Sequence, residues 1–141
     1  MKDQQSITVE QVEQIIGALD AAASRNDVEG TVALFAPDAT VESPAIPRLL
    51  NRQEGVCRGQ DEIRDLVRAL IRRGKPWGRH QPPLIRGTTV AIEYMRASSD
   101  SEQFSVDVIE LRDGKIQSLR AYLGWRAMMA FTAEGSGVGA R

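Results

Sequence analysis

Apolar and polar residues alternate most regularly over residues 101–125, SEQFSVDVIELRDGKIQSLRAYLGW. Two extended runs flank Asp113-Gly114, and Asp-Gly between alternating runs predicts a tight β-hairpin. In the first run Ser105, Asp107, Ile109 and Leu111 share one face, with Val106, Val108 and Glu110 on the other. Ile116 and residues 119–123 supply the partner strand. Residues 88–97 alternate as well, Val90, Ile92 and Tyr94 against Ala91, Glu93 and Met95. Residues 77–86 form a further strand that Pro82-Pro83 restricts to an edge or a bulge.

Upstream the period changes to that of a helix. Thr8 followed by Gln11 makes a capping box, and Val12, Ile15, Ile16 and Leu19 form the apolar stripe behind it. Asp27 caps a second, short helix that turns Val28, Val32, Leu34 and Phe35 inward and stops at Pro37. Residues 39–43 are a short strand ended by Pro44. Residues 45–58 read as a long loop of the kind that serves as a lid or binding segment. A third helix over 59–73 carries Ile63, Leu66, Val67, Leu70 and Ile71 on one side and ends at Gly74. Residues 128–131 are a short apolar segment, helical or docked on a neighbour, and the Gly-rich end is expected to be disordered. Helices segregated before a strand meander predict an α+β fold. Three N-terminal helices pack on one face of a curved, mostly antiparallel sheet. Residues 1–131 make one domain and 132–141 a tail.

Composition narrows the function classes. With 18 basic and 19 acidic residues the net charge is −1, which argues against nucleic acid or an anionic membrane as partner. Arg64, Arg68, Arg72, Arg73 and Lys75 form a local basic run, four of which read as the solvated face of the third helix and its end. The single cysteine, Cys57, has no disulfide partner, no metal-site spacing and no activating neighbour, so a reducing, cytoplasmic setting is expected. No signal peptide or membrane span is expected. No phosphate loop, nucleotide fingerprint or metal cluster is present, so no cofactor is expected.

Against that background Asp107 stands out. A carboxylate among Val, Ile and Leu in mid-strand costs free energy unless it is hydrogen-bonded or its pKa rises. It is either a buried acid facing a ligand or a structural group satisfied by Tyr94, a serine or the backbone. His80 is the only side chain that titrates near neutrality unaided, and with Asp107 it would make a workable acid/base pair if it faces inward. Tyr94 falls on the face shared with Ser105 and Asp107, where a phenol could polarise a carbonyl. Ser43 could bond a ligand or simply end its strand.

Several segments resemble the ketosteroid isomerase and SnoaL-like polyketide cyclase group. They are Asp27-Val28-Glu29, the run 34–44 (LFAPDATVESP), Gly59-Gln60-Asp61-Glu62-Ile63-Arg64, and the final hairpin 113–122 (DGKIQSLRAY). The resemblance spans residues 8 to 131 and implies the cone-shaped α+β barrel shared with nuclear transport factor two. It implies a cofactor-independent isomerase or cyclase, or a dehydratase, acting on a hydrophobic carbonyl or polyketide-like molecule, as a homodimer through the outer face of the sheet. Residue by residue, the family's oxyanion-hole acid matches Asp107; the kept-neutral carboxylic acid of ketosteroid isomerase is a standard illustration of such a group. The family's base position holds Ser43 and its oxyanion-hole tyrosine position holds Leu19. The expected pocket wall is Leu19, Val41, Leu66, Val67, Leu70, Ile92, Ile109, Leu119 and Leu123, with Ser43 and Ser105 as polar points. The alternatives are a non-catalytic binding module and, ranked last for want of an inward partner carboxylate, epoxide opening.

Overall fold

A computed structural model describes residues 6–74, 78–79, 81–97 and 102–137. The chain begins with helix α1 (Val9–Ser24), for which Thr8 and Gln11 form the expected capping box. Asp27 accepts from the Gly30 amide and caps α2 (Val28–Val32). Strand β1 (Phe35–Glu42) follows at once. Here the expectation is corrected: the second helix stops at Val32, and the chain enters the sheet four residues before the strand was expected. The Ile116 amide donates to the Leu34 carbonyl, so pairing with the last hairpin captures this segment before Pro37 can act as a helix stop. Pro37 itself sits in a register break between Phe35 and Thr40, where its missing N–H is not needed by the ladder.

The expected long loop is also largely structured. It holds a short helix, α3 (Ile46–Leu50), and β2 (Val56–Arg58), which folds back antiparallel on β1. Helix α4 (Gly59–Arg73) matches the expected bounds, closed by Gly74 at φ 111°. The strand expected over 77–86 is two short pieces, β3 (Gly78–Arg79) and β4 (Leu84–Arg86), both paired with β5 (Thr89–Ala97). The two prolines interrupt the run between them.

Strands β6 (Glu102–Arg112) and β7 (Lys115–Leu123) form the hairpin around Asp113 and Gly114, at φ 52° and 75°. Positive φ at both central positions is what Asp-Gly tolerates and most pairs do not. Helix α5 (Trp125–Gly137) closes the described chain, so helical backbone continues past Phe131 into the expected tail.

The sheet order is β2-β1-β7-β6-β5-β3, with β4 also on β5. All pairings are antiparallel except β1 with β7. The sheet is curved and does not close, and helices pack on its inner face. The described residues form five helices: beyond the three expected at the N-terminal side, α3 lies in the segment read as a loop, and α5 contains residues 128–131, read as helical or docked, and runs on into the expected tail. Val90, Ile92, Ile109 and Leu111 of the inner face pack with Val12, Ile16, Ile63 and Leu66 of the helices to form the core. Among the described residues no helix is long and apolar enough to cross a membrane.

Candidate functional site

Between the helices and the inner face of the sheet lies a hollow of about 290 Å³. Its walls come from α1 (Leu19, Asp20, Ala23), β1 (Phe35, Val41), α4 (Ile63, Leu66, Val67, Leu70), β5 (Tyr94, Arg96), β6 (Ser105, Asp107) and β7 (Leu119, Ala121, Leu123). Ser43, Ala45, Leu49, Arg73 and Phe131 complete the rim. Exposed Asn26, Leu70 and Gly74 also line it and mark its opening to solvent.

Register fixes depth along the sheet. Asp107 lies opposite Ile92 on one side and Ala121 on the other, while Ser105 lies opposite Tyr94 and Leu123. Because side chains on one face recur every second residue, Ile92, Tyr94 and Arg96 form one inward row, with exposure rising from none at Ile92 to partial at Arg96. Asp107 is therefore deep and Arg96 is near the mouth.

Asp107 is surrounded by protein, and what surface it keeps faces the hollow. Among the described residues no group donates a hydrogen bond to it, and no buried side-chain polar atom is left sealed without a partner. Its oxygens are therefore open to whatever occupies the hollow. Burial, reinforced by the negative charge of Asp20, pushes its pKa up to about 7. The structural alternative weighed from sequence was satisfaction by Tyr94, a serine or the backbone; among the described residues none of these donates to Asp107.

The Tyr94 hydroxyl instead donates to Asp20 Oδ1 at 3.4 Å. Arg79 Nε donates to Asp20 Oδ2 at 2.9 Å, and Arg79 Nη1 donates to both oxygens of Glu13 at 2.9 and 3.0 Å. Asp20 is nevertheless pushed above the ordinary carboxylate range, because burial outweighs the arginine and the phenol. Burial first, then the charges of Asp20 and Asp107, drives Tyr94 far above the usual phenol value. It stays a protonated donor throughout the working pH range.

Of the expected site residues, Asp107, Tyr94, Ser43, Leu19, Val41, Leu66, Val67, Leu70, Ser105, Leu119 and Leu123 meet at this hollow. Ile92 and Ile109 do not line it: both face inward but are fully covered by the core, leaving no surface for a ligand. His80 lies outside the described residues. The Ser43 hydroxyl accepts from the Ala45 amide, a turn at the strand end, while its side chain still reaches the rim. Cys57 is buried away from the hollow, and burial raises its thiol pKa, which suits packing better than attack. Among the described residues no cluster of His, Cys, Asp and Glu could hold a metal ion.

Sequence reasoning missed Asp20, Arg79 and Arg96. Asp20 continues the row Val12, Ile16 at a spacing of four, and that row could have flagged it as inward. Arg96 likewise continues Val90, Ile92 and Tyr94 at a spacing of two. Arg79 carries no such signal, since it sits on a two-residue strand. The inward partner carboxylate that the strand pattern lacks comes from a helix instead, as Asp20 of α1.

A curved, unclosed sheet with helices over one face and an apolar hollow between them is the nuclear transport factor 2-like class of α+β protein. The chain belongs to the SnoaL-like domain family, whose profile matches residues 16–119. A SnoaL-like protein of unknown function from Burkholderia thailandensis superposes with a TM-score of 0.73 at 19% identity, covering 85% of this chain and 99% of that one. An NTF2-like protein from Burkholderia xenovorans gives 0.66 at 24% identity, covering 90% and 99%. A candidate polyketide cyclase from Sinorhizobium meliloti gives 0.65 at 18% identity, covering 82% and 100%. Identities this low establish a shared fold. No functionally curated protein matches the chain.

Proposed function

We propose that this protein is a cofactor-independent acid/base enzyme that isomerises or cyclises a hydrophobic carbonyl-bearing or polyketide-like small molecule, with Asp107 as the proton carrier. The observation that carries this reading is the carboxyl of Asp107: surrounded by protein, without a hydrogen-bond donor among the described residues, and lining an apolar hollow. A group with a pKa near 7 is present in both protonation states at neutral pH, which suits it to take a proton and give it back.

In an isomerisation, the Asp107 carboxylate removes a proton from the carbon next to the substrate carbonyl. The C–H electron pair moves into the enolate, and the oxygen gathers negative charge. Tyr94, held as a neutral phenol, is the side chain best placed to donate to that oxygen, exchanging its long hydrogen bond to Asp20 for a charge-assisted one. Asp107 then returns the proton to a different carbon, and the carboxylate is regenerated. In a cyclisation the same enolate attacks a second carbonyl, and the proton from Asp107 goes to the new alkoxide. Arg79 and Glu13 brace Asp20 and keep the phenol in position.

One geometrical feature favours a second reading. Two inward carboxyls, Asp20 and Asp107, share the hollow, and water activated by one with acid assistance from the other would open an epoxide. Arg79 engages Asp20 and Glu13; no contact between it and Asp107 ties the two carboxyls together. This reading therefore ranks second. A binding module without chemistry is the third, motivated by Leu19 and Ser43 at the family's catalytic positions.

The test is a turnover screen over cyclic enones, tetralones and anthrones, with wild type and Asp107→Asn. The variant is expected to lose at least about 100-fold in kcat while binding the same compounds within a few-fold. A correctly folded Asp107→Asn protein with full turnover would remove the proposal.

A further inference from the structure

The charged residues lining the hollow are Asp20, Arg73, Arg96 and Asp107. Asp20 is ion-paired with Arg79 at 2.9 Å. Arg73 lies over the ring of Phe131, 4.0 Å from its centroid. Arg96 differs from both. It is partly buried on the inner face of β5 and, among the described residues, neither a carboxylate nor a hydrogen-bond acceptor engages it. A guanidinium held against an apolar hollow without a partner is a poor arrangement for stability alone. It is a good one for capturing an anion from solution, because the planar fork meets a carboxylate or sulfonate with two parallel hydrogen bonds.

Position adds a length. Arg96 pairs with Gln103, while Asp107 pairs with Ile92, four residues deeper along the same strand. At about 3.3 Å per residue the two backbone positions are about 13 Å apart along the strand. We propose that Arg96 binds an anionic group on the substrate, so that the ligand is a hydrophobic organic acid. Its charged end sits at the mouth and its reacting carbonyl roughly 10 Å deeper, beside Asp107 and Tyr94. This rests on the reading of the hollow as a ligand site and specifies the class of ligand it takes.

Two dyes with nearly the same aromatic body separate charge recognition from apolar fit. Anilinonaphthalene sulfonate carries the anion and phenylnaphthylamine lacks it. Fluorescence titrations would use the full chain as wild type, Arg96→Gln and Arg96→Lys, each checked for native near-UV circular dichroism. Arg96→Gln is expected to weaken the sulfonate dye at least about tenfold and the neutral dye less than twofold. Arg96→Lys should recover part of the loss, and the preference for the anion should shrink with added salt. Equal weakening of both dyes, or no effect on the sulfonate, would overturn the assignment while leaving the acid/base proposal standing. If neither dye binds the wild type, the hollow is not a ligand site and both readings fall together.

Discussion

Moving a carboxylate out of water favours its protonated form, and at Asp107 neither a cation nor a donor among the described residues offsets that cost. The consequence can be read in stability as well as turnover. The folded-state pKa is about 7, against 3.8 for the unpaired group. Between those values the folded chain binds a proton that the unfolded chain has lost. Stability is therefore greatest on the acid side of that window, falls as pH rises through it, and levels off above 7. Asparagine at this position has no charge to bury. The advantage of Asp107→Asn over wild type is thus expected to widen from pH 4.5 to 7.5, by up to about 1.4 kcal/mol per unit. Thermal or urea unfolding across that range would check it, and a difference that does not vary with pH would mean that Asp107 is solvated.

At the scale of elements, the site depends on where α1 and the final hairpin are anchored. Thr8 and Gln11 exchange hydrogen bonds at the start of α1, three turns before Asp20. Removing the cap with Thr8→Ala is expected to cost about 1 kcal/mol of stability. Dye affinity should be unchanged, because Arg79 holds the far end of the helix to β3. A fall in affinity larger than the fall in stability would mean that the cap positions the wall. The elements readable in the sequence were those whose local signals agree with their packing, namely α1, α4 and the Asp-Gly hairpin. The β1 strand was read too short because Pro37 is a strong local stop signal, whereas the competing partner, β7, lies about 80 residues away. Helix α3 has one turn and a proline at its start, too little periodicity to detect.

For the molecule as a whole, the sheet has one face buried under helices and one without a helix over it. The outer face carries Val106 opposite Tyr122 and Val108 opposite Arg120, with Tyr122 55% exposed. We propose that this face pairs with a second copy of the chain, as expected from the family resemblance. Light scattering should give twice the chain mass, and Tyr122→Glu should shift the population toward single chains. A monomer at high micromolar concentration would count against it. Residues of the hollow come from one chain, so the dye affinities above are expected to survive dissociation.

Alternation, helical period and turn chemistry in the sequence determined the layer architecture and the inward side of β5 and β6. These are local properties, set within ten or fifteen residues by backbone geometry. The same period placed Asp107 and Tyr94 on one wall. The tertiary structure alone decided that no donor among the described residues reaches Asp107, that Asp20 comes from a helix to meet Tyr94, and that Arg96 has no counter-charge among the described residues. Each of these is a distance between residues far apart in the chain, and only packing fixes such distances.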